Sequence, residues 1–261
     1  ILQYGNSQDT IRCLDSVKEL NYPNFWTIVI DNASPEADQN NIREYVKSQL
    51  GGGGWGTHRI SLIFNSQNLG YAGGNNVGIK YALSEGADYV FILNNDTTVE
   101  SDTLDKLIET AENDPIIGAV GTAIKEPDRT VFYGRSSWFK AELEHSTTPP
   151  SKKYLEFKDY LIGAGVLIKR GLLEKIEGLD EIYFLYFEDA DFSIRAQLAG
   201  YKLKVVPEAI IHHQVSASTE QLGSPLILRY HMRNALIFNS LNAPWTVKPF
   251  IIFWAGYVLV K

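Results

Sequence analysis

The sequence predicts an α/β protein: a single domain with a mixed, mostly parallel central sheet flanked by helices, and further helices at its C-terminal end. Three observations carry that expectation. Strand and helix signals alternate through residues 1–125. The strand candidates there are continuous apolar runs, the pattern of strands buried on both faces. Several of these runs end in Asp, Asn or Tyr, at the carboxyl ends where open parallel sheets gather ligands.

Leu2–Tyr4 is a short apolar strand. Ser7–Leu20 follows at helical spacing (Ile11, Leu14, Val17, Leu20), with Ser7 or Asp9 as cap. Trp26–Ile30 is a strand ending at Asp31, and Glu36–Leu50 a polar helix. Gly51–Gly54 reads as a flexible loop with Trp55 as its anchor. Ile60–Phe64 is a strand, Gly74–Leu83 a helix, and Tyr89–Leu93 a strand running into Asn94-Asn95-Asp96. Asp102–Glu112 is a helix and Ile117–Ala123 a strand. The rhythm then changes. Asp128–Pro150 carries turn residues and a hairpin signal. Tyr160–Lys169 reads as one strand, Gly171–Ile176 as a short helix, and Asp189–Ala199 as a helix stopped by Gly200. Leu203–Val206 and Ala209–His212 are short strands, Pro225–Leu241 a long helix, and Pro249–Val260 an apolar aromatic tail. No repeat and no long linker divides the chain.

Composition narrows the function. The chain has 261 residues, and 24 Lys+Arg against 31 Asp+Glu give a net charge of −7, which argues against nucleic acid as a partner. No run of about 20 apolar residues offers a membrane span. The lone cysteine, Cys13, forms no internal disulfide, which fits a reducing, cytoplasmic setting. The chain starts at Ile1 in strand-like sequence, which suggests that a few leading residues are missing.

The polar strand ends are Tyr4-Gly5-Asn6, Asp31-Asn32, Asn65 and Asn94-Asn95-Asp96. Each alone reads as a turn; together they follow the strand rhythm and converge if the strands are neighbours. Asn68-Leu69-Gly70-Tyr71-Ala72-Gly73-Gly74-Asn75-Asn76 joins a strand to a helix and matches neither GxGxxG nor GxxxxGK[ST]. Asp96 is a hard oxygen ligand suited to Mg²⁺ or Mn²⁺ shared with substrate phosphates. Glu188-Asp189-Ala190-Asp191 follows the aromatic run Tyr183–Phe187. It reads either as a helix cap or as a desolvated base beside a sugar-stacking wall. His212-His213 ends a later strand, where imidazole serves as a packed residue or as a second ligand for the ion.

Taken in order, these segments resemble glycosyltransferase family 2, the inverting nucleotide-sugar transferases of GT-A fold, and within it the rhamnosyltransferase-like branch. To those already quoted are added Val29–Ser34, Gly163-Ala164-Gly165, Phe187–Phe192 with Arg195, His213–Ser218 and Arg229–Asn234. The resemblance implies a Rossmann-like domain over 1–241, with a nucleotide-binding half (1–125) and an acceptor-binding half (126–241), followed by an apolar helical tail (242–261). Asp31 would accept from the pyrimidine N3–H with Tyr4 near the base, and Asn68, Gly70, Asn75 and Asn76 would border the nucleoside. Asn95 belongs to the donor-binding set. Asp96 and His213 would hold Mn²⁺ or Mg²⁺ on the diphosphate. Asp189 would be the base and Glu188 its orienting neighbour, while Asp191 and Arg195 support the acidic turn. Arg233 reads as a phosphate contact or as a helix-surface residue. The family's Asp-x-Asp motif is here Asn94-Asn95-Asp96, an amide in place of the first carboxylate.

The activity implied is single-displacement transfer of a hexose, rhamnose being one candidate, from a dTDP- or UDP-sugar donor to a hydroxyl of a glycan or lipid-linked acceptor, as in cell-wall or polysaccharide synthesis. The alternative is a catalytically inactive relative that binds nucleotide sugar or glycan. The tail reads as an interfacial helix that holds the protein peripherally on the inner face of the cell membrane, or as a core or homodimer helix.

Overall fold

The computed structural model describes residues 1–52, 59–138, 142–214 and 225–251. Through residue 125 the order is β1 (Leu2–Gln3), α1 (Ser7–Val17), β2 (Trp26–Asp31), α2 (Glu36–Gly52), β3 (Arg59–Phe64), α3 (Gly70–Ser84), β4 (Tyr89–Leu93), β5 (Thr97–Val99), α4 (Thr103–Glu112) and β6 (Ile117–Lys125). Then come β7 (Thr130–Val131), β8 (Tyr133–Ser137), β9 (Glu142–Ser146), β10 (Asp159–Tyr160), β11 (Gly165–Lys169), α5 (Arg170–Ile176), α6 (Glu188–Leu198), β12 (Lys202–His213) and α7 (Pro225–Asn242).

Strands β1, β2 and β3 form a parallel sheet. A parallel bridge from Leu2 to Asn94 joins it to the second sheet, ordered β4-β11-β6-β12-β5. The central sheet is therefore mixed and mostly parallel: β11 lies antiparallel between β4 and β6, and β5 antiparallel on β12. Continuous apolar runs arise because successive side chains enter different cores. Leu167 joins the core under α1, α2 and α4 with Leu14, Ile42 and Leu107. Val166 and Ile168 join the opposite core with Ile79, Leu172 and Phe192. A third core sets Tyr183, Phe187 and Ile194 against Phe238 and Trp138.

Four expectations are corrected. The glycine-rich segment is not a loop as far as Gly74, because α3 already begins at Gly70. Its opening N–H groups have acceptors: Leu69 N donates to Asn32 Oδ1, Gly70 N to Asn68 Oδ1 and Tyr71 N to the Phe184 carbonyl. Gly74 serves close packing, since a Cβ there would stand 2.4 Å from Leu2 Cδ1. Second, residues 160–169 divide into β10 and β11, and the turn between them faces the polar site. Third, the two short strands near the end are one strand, β12, with a register shift between Val206 and Ile210. Pro207 lies in that shift and lacks the N–H a regular ladder needs. Fourth, Thr97–Val99 is a strand where a simple exit into a helix was expected. Helix α2 also continues to Gly52, so the first two of the loop glycines are helical; the remainder, with Trp55, lies outside the described residues, as does most of the apolar tail. The expected hairpin is present as β8–β9.

A cavity of about 440 Å³ with a mixed polar and apolar lining opens between β2 and β4, bordered by Ile1, Ile28, Ile79, Phe91 and Asn75 among others. None of Asp96, Glu188, Asp189 and His213 lines it, so the polar site lies elsewhere.

Candidate active site

The site begins where β4 ends. Strand β5 turns back antiparallel to β12, pairing Thr97 with His213, and Gln214 N donates to the Asp96 carbonyl at 3.1 Å. This register sets two sequence-distant residues side by side: His213 Nε2 stands 3.2 Å from Asp96 Oδ1. That oxygen is buried and otherwise lacks a hydrogen-bond donor. Burial alone would lower the His213 pKa; the adjacent Asp96 carboxylate, with Glu126, more than offsets it, so the net shift is upward. A buried orphan carboxylate oxygen facing an imidazole nitrogen fits a hard divalent cation. Among the described residues no cluster of three or more His, Cys, Asp or Glu exists, so further ligands would have to come from a bound diphosphate or water. Asn95, in contrast, donates to Thr10 Oγ1 at 3.0 Å.

The acidic turn is built by strain and by buried caps. Tyr186 and Phe187 are consecutive residues with φ of 71° and 74°, a conformation that costs non-glycine residues about 1–3 kcal/mol each. Packing holds them: Phe187 lies 5.4 Å from Phe238 and 5.2 Å from His231, ring centre to ring centre. Asn234, fully buried, donates to the carbonyls of Leu185 and Tyr186 at 2.8 and 3.0 Å. The turn delivers Glu188 and Asp189 to the first turn of α6. Asp189 Oδ2 accepts from Gly163 N at 3.1 Å and Oδ1 from Ala190 N at 2.8 Å. Glu188 is buried and its Oε2 has no partner.

Desolvation dominates both carboxyls. It raises Asp189 to about 6, with the Gly163 and Ala190 N–H groups pulling the other way. Burial, then the charge of Asp189, holds Glu188 well above the usual range. One carboxyl is therefore poised near neutral pH beside a second whose ionisation burial and the neighbouring charge oppose, an arrangement suited to a general base and its orienting partner. Asp191 belongs to the support. It accepts from Arg195 Nε at 2.6 Å and Asn242 Nδ2 at 3.0 Å, and Arg195 also binds the Ile176 and Gly178 carbonyls.

On the nucleoside side, Asp31 is buried at the end of β2. Its Oδ2 accepts from Gln3 Nε2 at 2.9 Å and its Oδ1 from Ser34 N at 3.0 Å. Tyr4 is exposed and follows Gln3, the β1 residue that pairs with Asp31 across the sheet. Asn68 Oδ1 also accepts from Asn32 Nδ2 at 2.9 Å, and Asn65 Nδ2 donates to Asn32 Oδ1, so three asparagines tie the strand ends to α3. Asn75 donates to the Tyr71 carbonyl, and Asn76 is used up by Leu179 and Glu181. Gly70 has φ of 74° and a Cβ there would lie 2.3 Å from the Phe184 carbonyl oxygen. Gly70→Ala is expected to cost about 2–4 kcal/mol in denaturant unfolding, from left-handed strain plus overpacking. Arg233 donates to the Ile182 carbonyl and to Asn234 Oδ1.

Three residues of the site went unselected by the sequence reading. Tyr71, within the glycine-rich segment, is partly buried, and its hydroxyl meets Gly163 O at 2.7 Å and Asn94 Oδ1 at 3.1 Å. Gly163 and Asn234 stood in quoted motifs without a role. Their signal was position: a glycine where a strand breaks, and a polar residue on the buried face of a long helix.

The glycosyl transferase family 2 model matches residues 3–177, a span that includes Asp31, the opening of α3 and Asp96. This chain belongs to that family. Its relatives point the same way. The N-acetylglucosaminyl-diphospho-decaprenol L-rhamnosyltransferase of Mycobacterium tuberculosis is 25% identical over 220 residues, covering 73% of this chain and 70% of that protein. The dTDP-rhamnosyl transferase RfbF of Shigella flexneri is 20% identical over 233 residues, covering 87% and 74%. The mannosyltransferase PcManGT of Pyrobaculum calidifontis, solved with GDP-Man and Mn²⁺, superposes with a TM-score of 0.64 at 18% identity, over 100% of this chain and 74% of its own. The fold is GT-A, and the chain is a nucleotide-sugar-dependent glycosyltransferase of family 2.

Proposed function

We propose that this family 2 enzyme is an inverting, metal-dependent hexosyltransferase that moves rhamnose or a related sugar from a dTDP- or UDP-linked donor to a hydroxyl of a glycan or lipid-linked acceptor. The observation that carries the reading is the pairing of two differently tuned centres near Tyr71. Asp96 presents a buried orphan oxygen to His213, and Asp189 is a desolvated carboxyl raised to about 6. Asp96, Glu188 and Asp189 all act electrostatically on the Tyr71 phenol, which places the two centres on either side of that residue in this reading. The rhamnosyltransferase relatives support the sugar, and the decaprenol-linked substrate in one relative's name supports the lipid-linked acceptor.

In this reading Asp31 accepts from the base of the nucleoside, and Tyr4 covers it. Asn68, Gly70, Asn75 and Asn76 act mainly by shaping the α3 opening that borders the nucleoside. Asp96 and His213 would hold a divalent ion, whose charge would offset that growing on the leaving diphosphate. Asp189 takes the acceptor hydroxyl proton as that oxygen attacks the anomeric carbon. Departure of the diphosphate from the opposite face inverts the centre through an oxocarbenium-like transition state. Glu188, neutral, donates a hydrogen bond to acceptor or donor. Arg233 anchors the aromatic turn through one nitrogen, which donates to Ile182 O and Asn234 Oδ1, and its exposed side chain keeps the phosphate contact within this reading.

Among the described residues no helix is long and apolar enough to cross a membrane. A lipid-linked acceptor would then be reached by peripheral contact, and cytoplasmic placement on the inner membrane face is part of the proposal. Calorimetric titration with dTDP, UDP and GDP, each with and without Mn²⁺, tests the donor assignment. Tight, metal-dependent binding of one pyrimidine diphosphate is expected; absence of binding to all three would overturn the donor assignment and leave only the glycan-binding form of the inactive alternative.

A further inference from the structure

Tyr71 stands between the two halves of the site. Its hydroxyl donates to Gly163 O at 2.7 Å and lies 3.1 Å from Asn94 Oδ1, at the metal-side strand end. Its backbone N–H donates to Phe184 O at 2.7 Å, in the aromatic run that leads to the acidic turn. The same Gly163 that accepts from the phenol donates its N–H to Asp189 Oδ2 at 3.1 Å. There is no room around it: a Cβ at Gly163 would stand 3.0 Å from Tyr71 Oη and 3.6 Å from Asp189 Cβ. The fixed order is therefore phenol, glycine residue, carboxylate. Asn94 N donates to Ala164 O at 3.1 Å, which ties the next residue of the turn to β4.

We propose that Tyr71 is a positioning residue for Asp189: its hydroxyl pins the Gly163 carbonyl and so keeps the Gly163 N–H aimed at the carboxylate. The proposal rests on the reading of Asp189 as the base. The phenol is suited to this work. Burial first, then the neighbouring acidic groups, raise its pKa well above the usual value, so it stays a donor across the neutral range. The groups around Asp189 are Glu188 on its own helix, Tyr71 from α3 and Tyr160 from β10, with Asp96 beyond Tyr71. None of these is cationic. The ionised form is favoured instead by backbone N–H groups, of which Gly163 is the first contributor. Loosening that one donor should raise the Asp189 titration midpoint, because hydrogen bonds to a carboxylate favour its charged form.

Tyr71→Phe keeps the ring and removes the pin. The experiment is ¹³C-carboxyl NMR titration of the ligand-free chain, with the Asp189 signal assigned through Asp189→Asn, run beside the pH–rate profile of transfer. In Tyr71→Phe the Asp189 midpoint is expected to rise by about half a unit or more. The acid limb of the rate profile is expected to move the same way. A folded Tyr71→Phe chain with the wild-type midpoint would overturn the proposal. A raised midpoint with an unmoved rate profile would support the Tyr71–Gly163–Asp189 link and count against Asp189 as the base. If Tyr71→Phe does not fold, Gly163→Ala provides the second test. Its methyl group crowds the phenol oxygen at 3.0 Å and loosens the contact without removing the hydroxyl group; the same upward shift is expected, and an unmoved midpoint would be equally contrary.

Discussion

Asp189→Asn is expected to lose about 10²–10⁴-fold in kcat, or about 3–5 kcal/mol of transition-state stabilisation, while gaining stability at pH 8. The two effects share one cause. The native carboxyl titrates near 6 because burial disfavours its charge, against an ordinary value of 3.8. The folded state therefore holds the proton more tightly than the unfolded chain. Ionised Asp189 costs stability above about pH 6, the cost fades as pH falls from there, and it is absent below about pH 4. At about 1.36 kcal/mol per pKa unit the cost is on the order of 3 kcal/mol. Asparagine removes it but keeps only one of the two N–H contacts to Gly163 and Ala190, so the net gain is about 1–2 kcal/mol. Urea unfolding of both chains at pH 8 and pH 4 reads this directly. The variant should be the more stable at pH 8 only. Equal turnover of the two chains, or a variant destabilised at pH 8, would contradict the assignment.

Asp96→Asn is expected to weaken Mn²⁺ binding in the presence of nucleoside diphosphate by about 100-fold or more. Outer-shell substitutions at metal sites cost about 10–100-fold, and a direct carboxylate ligand should cost at least the upper end. Here the effect is concentrated, because Asp96 is the carboxylate at the end of β4; the Asp-x-Asp partner position is Asn94. His213→Ala should show the same direction. Asn94→Asp should strengthen Mn²⁺ binding, since it restores a second negative oxygen donor beside Tyr71. Electron paramagnetic resonance of free Mn²⁺ measures all three without needing an acceptor. Unchanged affinity in Asp96→Asn would remove the metal site from the reading.

The parts legible in the sequence were those fixed by local pattern. Buried strands announced themselves as apolar runs because each feeds two cores at once, as Val166 and Leu167 do. Asp96 and Asp189 stood out only as members of an ordered set of motifs, because each alone reads as well as a turn or a helix cap. What escaped was set by tertiary contact. The pairing of Asp96 with His213 was named through the resemblance, but the strand that creates it, β5, is three residues whose pattern is too short to read. Asn76 and Arg233 carry groups suited to a ligand, yet each is held by backbone across a fold-level gap. Tyr71 looked like one more residue in a flexible glycine segment; only the helical start at Gly70 and the turn at Gly163 reveal it as the hinge of the site. The left-handed pair Tyr186–Phe187 has no glycine to signal it, and is legible only through Asn234 beneath it.

The central claim is single displacement with Asp189 as the base, and the anomeric configuration of the product tests it most directly. The donor can be a dTDP- or UDP-sugar with water as acceptor, followed by ¹H NMR before the released sugar mutarotates. The account requires that the first sugar released be inverted relative to the donor, and that Asp189→Asn suppress its release. A product that keeps the donor's configuration would contradict it.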